Sequence, residues 1–107
     1  MAIVSKRIDA QTRRIYSVLK AAYPDLSDDE SDVVYKSNRY SIRVRVIDAN
    51  FDEKSLGQRH SEVKRVLSGL AAEDVENITM LMMLSPEKAA IPDLMNLEFD
   101  DPSRSQL

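Results

Sequence analysis

Apolar residues recur along this chain at two spacings, and each spacing predicts a kind of element. Between residues 6 and 22, Ile8, Ile15, Val18, Leu19 and Ala22 share one helical stripe, with Lys6, Arg13, Arg14 and Lys20 largely opposite, so an amphipathic helix is expected that Pro24 stops. The stretch "DLSDDESD" (25–32) is rich in turn formers and reads as a solvated acidic loop. Val33 to Tyr35 is short and β-branched, Ser37-Asn38 offers a turn, and in the run that follows Ile42, Val44 and Val46 alternate with Ser41, Arg43 and Arg45. That period of two predicts a hairpin with one sheet face toward a core and two arginines projecting from the other.

A polar connection then leads through Phe51 to a second helical pattern, roughly 54–71, built on Leu56, His60, Val63, Val66, Leu67 and Leu70. Gly57 lowers helix propensity there by about 1 kcal/mol relative to alanine and is a place for the segment to divide into a short turn and a longer helix. The run Ile78 to Leu84 is apolar apart from Thr79, too short for an independent buried helix, and is expected to form the central strand, covered on both faces. Ser85 is placed to cap a turn of helix with Pro86 at its first position, and Pro92 leaves room for little more. Leu94, Met95, Leu97 and Phe99 give the remaining tail enough apolar surface to dock, although a flexible arm fits the sequence equally. The pattern predicts an α+β domain of order α-β-β-α-β over residues 1–90, a three-stranded mixed sheet with helices packed on one face, and a tail at 91–107.

Composition removes several kinds of chemistry. With 107 residues the chain is expected to fold as one domain. It has no cysteine, so disulfides, thiolate metal sites and cysteine nucleophiles are excluded. No apolar run approaches the roughly 20 residues of a membrane span, and the opening "MAIVSKRIDAQTRR" turns charged before a signal-peptide core forms; a cytoplasmic protein without membrane contact is expected. The net charge of −3 conceals blocks: residues 36–65 hold eight bases against four acids, and residues 66–107 hold two against eight.

At this point the residues resemble a known family. "YSIRVRVIDANFDEKSLGQRHSEVKRVLSGL" (40–70) is similar to the part of BolA-like proteins in which a strand, a phenylalanine, a Lys-Ser pair, an Arg-His pair and a Val-rich helix succeed one another. "NITMLMMLSPEKA" (77–89) resembles the family's last strand and its Thr-Pro-Glu ending, here Ser85-Pro86-Glu87. The resemblance covers roughly residues 8–90 and implies a fold like a type II KH domain. It also implies partnership with monothiol glutaredoxins around a two-iron two-sulfur cluster, or regulation of transcription in the stress response through contact with DNA. Cluster-binding members use a histidine just before the last strand and a His or Cys in the hairpin loop. This chain has Asn77 at the first position and "YKSNRY" at the second, and a carboxamide is a poor iron ligand beside imidazole or thiolate. No cofactor is therefore expected.

Among candidate residues His60, the one histidine, lies in phase with Leu56, Val63 and Leu67 and is expected to pack against the sheet; it is only a weak candidate for a metal. Ser61 adjoins it and cannot face it from the same helix, which argues against a nucleophilic triad. Asp28, Asp29, Glu30 and Asp32 lack the glycine and the later glutamate of a calcium loop and read as a solvated cluster. Arg39, Arg43, Arg45, Arg59, His60, Lys64 and Arg65 form the set of interest, a basic sheet and helix face for a protein partner. The expected function is a non-catalytic interaction or regulatory domain, with a nucleic-acid-binding regulator on the same patch as one alternative and a homodimer built on a strand edge as another. Against nucleic acid stand a pI near 5.1 and the lack of a Gly-x-x-Gly loop.

Overall fold

A computed structural model describes residues 6–39, 41–90 and 99. Its elements are α1 (Ala10–Ala22), β1 (Val34–Asn38), β2 (Ser41–Ile47), α2 (Leu56–Leu67), α3 (Ala72–Glu76), β3 (Ile78–Leu84) and α4 (Pro86–Ala89), with single 3-10 turns at Glu30–Asp32 and Ala49–Glu53. The α+β class and the order read from the sequence hold, with α3 added and the expected turn of helix after Ser85 present as α4.

Local chemistry sets the element ends. The first helix begins at Ala10, four residues later than the apolar stripe suggests, because Asp9 closes a capping box: its Oδ1 accepts from the Thr12 amide at 3.0 Å while Thr12 Oγ1 accepts from the Asp9 amide at 2.8 Å. Ile8 stays exposed, and Arg7 pairs with Lys36 as an isolated antiparallel bridge. Ser55 and Gln58 form a second capping box at α2, which places Gly57 inside the first turn without breaking it. The helix expected at 54–71 is shorter, Leu56–Leu67, and Ser68 to Ala71 then turn the chain into α3. Ser85 caps α4 with Pro86 at its first position.

The sheet runs β1-β2-β3, with β1 antiparallel and β3 parallel to β2. The central strand is therefore β2, and β3 lies at the edge, which corrects the expectation that the last strand sits in the middle. Its continuous apolarity arises because each of its faces is packed. Ile78, Leu81 and Met83 join Ile15, Leu19, Val34, Ile42, Val44, Val46, Phe51, Val63 and Leu67 in the core under α1 and α2, while Met80, Met82 and Leu84 join Tyr35 and Phe99 on the opposite face. A register shift makes this division possible: Ile42 pairs with Ile78 but Arg43 pairs with Met80, leaving Thr79 as a bulge at the sheet edge. Thr79 Oγ1 is held there by the Ser41 hydroxyl.

Ion pairs tie the helices to this frame. Arg14 grips buried Asp74 with two hydrogen bonds, Nε to Oδ2 at 3.0 Å and Nη2 to Oδ1 at 2.9 Å, joining α1 to α3. Lys36 meets Asp9 at 2.6 Å and Lys54 meets Glu62 at 2.8 Å. Their cationic partners hold the carboxyls of Asp74, Asp9 and Glu62 below their ordinary values of 3.8, 3.8 and 4.5. Burial, with the Glu62 carboxylate nearby, pushes the Tyr23 hydroxyl above the usual phenol range. Tyr23 in turn meets Phe51 edge-on, with ring centroids 5.6 Å apart.

Two expectations follow from this packing. Leu19→Ala, at a position with no exposed surface, should cost about 2–5 kcal/mol in chemical denaturation, whereas Leu56→Ala, at a side chain 69% exposed, should leave the midpoint in place. Carboxyls depressed by folding contribute stability that is complete above their unfolded values and is lost as pH falls through the folded ones. Stability should therefore decline as pH drops below 4.5 to 3.8, and Asp74→Asn should reduce the slope of that decline measured by pH-dependent unfolding.

Candidate functional site

The seven residues singled out from the sequence do not assemble into one face. Period-two alternation sends Arg43 and Arg45 away from the helices, to the side of the sheet where Arg45 lies with its guanidinium 4.4 Å from the centre of the Phe99 ring. Arg39 stands at the hairpin end, lining a depression with Arg7, Ile8, Asp9 and Lys36. Arg59, His60, Lys64 and Arg65 ride on α2, on the other side of the sheet. The composite surface carrying Arg43, Arg45, Arg59 and His60 is thus divided by the sheet itself.

Within α2 the four side chains also part company. Arg59 turns inward: its Nε donates to the Phe51 carbonyl at 2.8 Å and its Nη1 to the Met83 carbonyl at 3.1 Å, so one guanidinium fastens the start of α2 to the preceding turn and to the end of β3. Arg65 lies on the far flank with Ser55, Gln58, Ser61 and Glu62. His60 is exposed, which differs from the expectation that it packs against the sheet: it sits one residue past the inward-turned Arg59, so the helix carries it toward β3 at the rim of the core.

There, His60 and Lys64 line a groove of about 280 Å³ together with Leu67, Val75, Ile78, Thr79, Met80 and Leu81. Helix α2 forms one wall, the first half of β3 forms the other, and Val75 of α3 adds to the lining. The floor is aliphatic and the rim carries the two basic side chains. Strand β3 pairs with β2 on one side, and no described residue pairs with its other edge. A groove beside an unpaired strand edge offers both things an extended peptide needs, main-chain hydrogen-bonding groups and a place for side chains.

Among the described residues no three His, Cys, Asp or Glu side chains converge as metal ligands do, and no helix is long and apolar enough to cross a membrane. Compared with known protein families, with characterised proteins and with solved structures, the chain shows no match.

Reading the sequence located His60 and Lys64 but not the groove between them and β3. The missing signal was the edge position of β3, which a fully apolar run does not disclose. Val75 lay in a segment whose only helical cues are Glu73 and Asp74 in a first turn. The inward role of Arg59 is testable: Arg59→Ala should cost about 2 kcal/mol in denaturant unfolding, and Arg59→Lys should restore little, because an ammonium cannot span both carbonyls as a fork does.

Proposed function

We propose that this chain is a non-catalytic, BolA-like interaction domain that holds an extended acidic segment of a protein partner in the groove between α2 and β3. The observation that supports this reading is the conjunction of a β3 edge, with which no described residue pairs, and an apolar groove rimmed by His60 and Lys64. Strand addition would supply affinity through the backbone of β3, Leu67, Val75, Ile78 and Leu81 would receive apolar side chains, and the basic rim would select acids beside them. A glutaredoxin-type protein is one partner of the kind the BolA resemblance suggests, met here through protein contacts and without a shared cluster.

Nucleic acid is a weaker reading of the same molecule. The basic residues that a shared phosphate track would need stand in separate places, and the turn between α2 and α3 is Ser68-Gly69-Leu70-Ala71, with a single glycine.

The test uses the full-length chain, immobilised, with proteins retained from a native lysate identified and then titrated in purified form. Lys64→Glu and His60→Glu both alter exposed positions on the groove rim and should leave the unfolding midpoint unchanged while weakening the purified partner by about tenfold. Equal affinity for the wild type and both variants would place the contact elsewhere. Salt-dependent retention of the wild type on a DNA or RNA column, lost in Lys64→Glu, would replace the proposal with the nucleic-acid reading.

A further inference from the structure

The side of the sheet turned away from α1 and α2 carries a second buried cluster, and one residue in it comes from outside the sheet. Phe99 has no exposed surface and packs with Tyr35 and Met82, with Met80 and Leu84 at the margin. Its ring meets Tyr35 edge-on, centroids 4.9 Å apart at 65°. The Tyr35 hydroxyl donates to the Phe99 carbonyl oxygen at 2.8 Å. Two cations approach the ring, the Arg45 guanidinium at 4.4 Å and Lys6 Nζ at 5.5 Å, and Lys6 also lies 5.0 Å from the Tyr35 ring.

This is recognition of a residue and not mere coverage of apolar surface. The aromatic ring is read by an aromatic edge and by cations, and the main chain is read by a hydroxyl. The receiving groups stand on β1, β2, β3 and at Lys6, all in parts of the chain far from Phe99 in sequence. Phe99 stands in the sequence Glu98-Phe99-Asp100-Asp101. The sequence around it is acidic, and Lys6 and Arg45 beside the ring offer a segment of that composition opposite charge.

We propose that the outer sheet face is a binding site for a protein partner's phenylalanine flanked by acidic residues, and that Phe99 of this chain occupies it when that partner is absent. The site lies across the sheet from the groove and stands whether or not the groove binds a partner. It gives Arg45, and the basic face that the sequence suggests, a specific ligand chemistry: an aromatic ring for the guanidinium plane and carboxylates for the surrounding charge. Because the internal occupant must leave first, the apparent affinity for a partner is lowered by the ratio of the occupied to the vacant form.

The experiment titrates the full-length chain with a fluorescein-labelled peptide of residues 95–103, MNLEFDDPS, read by fluorescence anisotropy. Phe99→Ala, whose folding is checked by cooperative thermal unfolding, should bind the peptide about tenfold more tightly than the wild type, because the competitor is gone. The same peptide with its phenylalanine replaced by alanine should not bind. A second full-length variant, Asp100→Lys with Asp101→Lys, keeps the ring in place, weakens the internal occupant through charge alone, and should also bind the peptide more tightly than the wild type. Equal binding of the phenylalanine and alanine peptides, or equal affinity of the wild type and both variants for the phenylalanine peptide, would overturn the proposal. A concentration-dependent dimer in sedimentation that Phe99→Ala abolishes would assign the site to the tail of a second copy and would likewise overturn it.

Discussion

A three-stranded sheet has two faces, and among the described residues the long helices cover one of them. That constraint organises the molecule. The inner face is hidden by α1 and α2, which lay Ile15, Leu19, Val63 and Leu67 over Ile42, Val44 and Val46. The outer face carries Tyr35, Met80, Met82 and Leu84, and among the described residues Phe99 packs on it. Leaving such a patch in water costs roughly 25 cal/mol per Å², so it must be met by other means. The chain meets it with long basic side chains whose stems lie along apolar surface, and with one phenylalanine. The cations on that side are thereby part of the packing as well as of the surface charge.

The same constraint divides the candidate surfaces. A basic strand and a basic helix, read in one dimension, look like a single positive patch, but a strand that gives its aliphatic residues to the helices must send its alternate residues to the other side. Arg43 and Arg45 are separated from His60 and Lys64 because Ile42, Val44 and Val46 face the helices. The molecule therefore has two surfaces of different character, a groove beside a strand edge and an aromatic site on the sheet.

The sequence made the layer visible where one period dominates. The alternation in β2 and the helical stripe of α1 led directly to the three-stranded α+β arrangement, and Ser85-Pro86 marked the last turn. What remained illegible depended on relations between distant residues. Nothing local to Ile78–Leu84 says whether it lies in the middle or at the edge. An apolar run fits both, and the bulge at Thr79 is set by the partner strand and not by its own neighbours. Arg59 looked like a surface cation because its two carbonyl acceptors lie 8 and 24 residues away in sequence. Phe99 was visible as apolar tail, but its place against Tyr35, 64 residues earlier, was not.

The parallel pairing of β3 with β2 has a kinetic consequence. The β1–β2 hairpin closes over a tight turn and involves only near neighbours, whereas β3 reaches β2 only after the whole connection through α2 and α3 has been ordered, at an entropic cost met before any reward. Topology thus makes the methionine-rich stretch the strand expected to dock last. For that interval a run of seven apolar and β-prone positions, broken only by Thr79, stands unsheltered, and it is there that misassembly between nascent chains would begin.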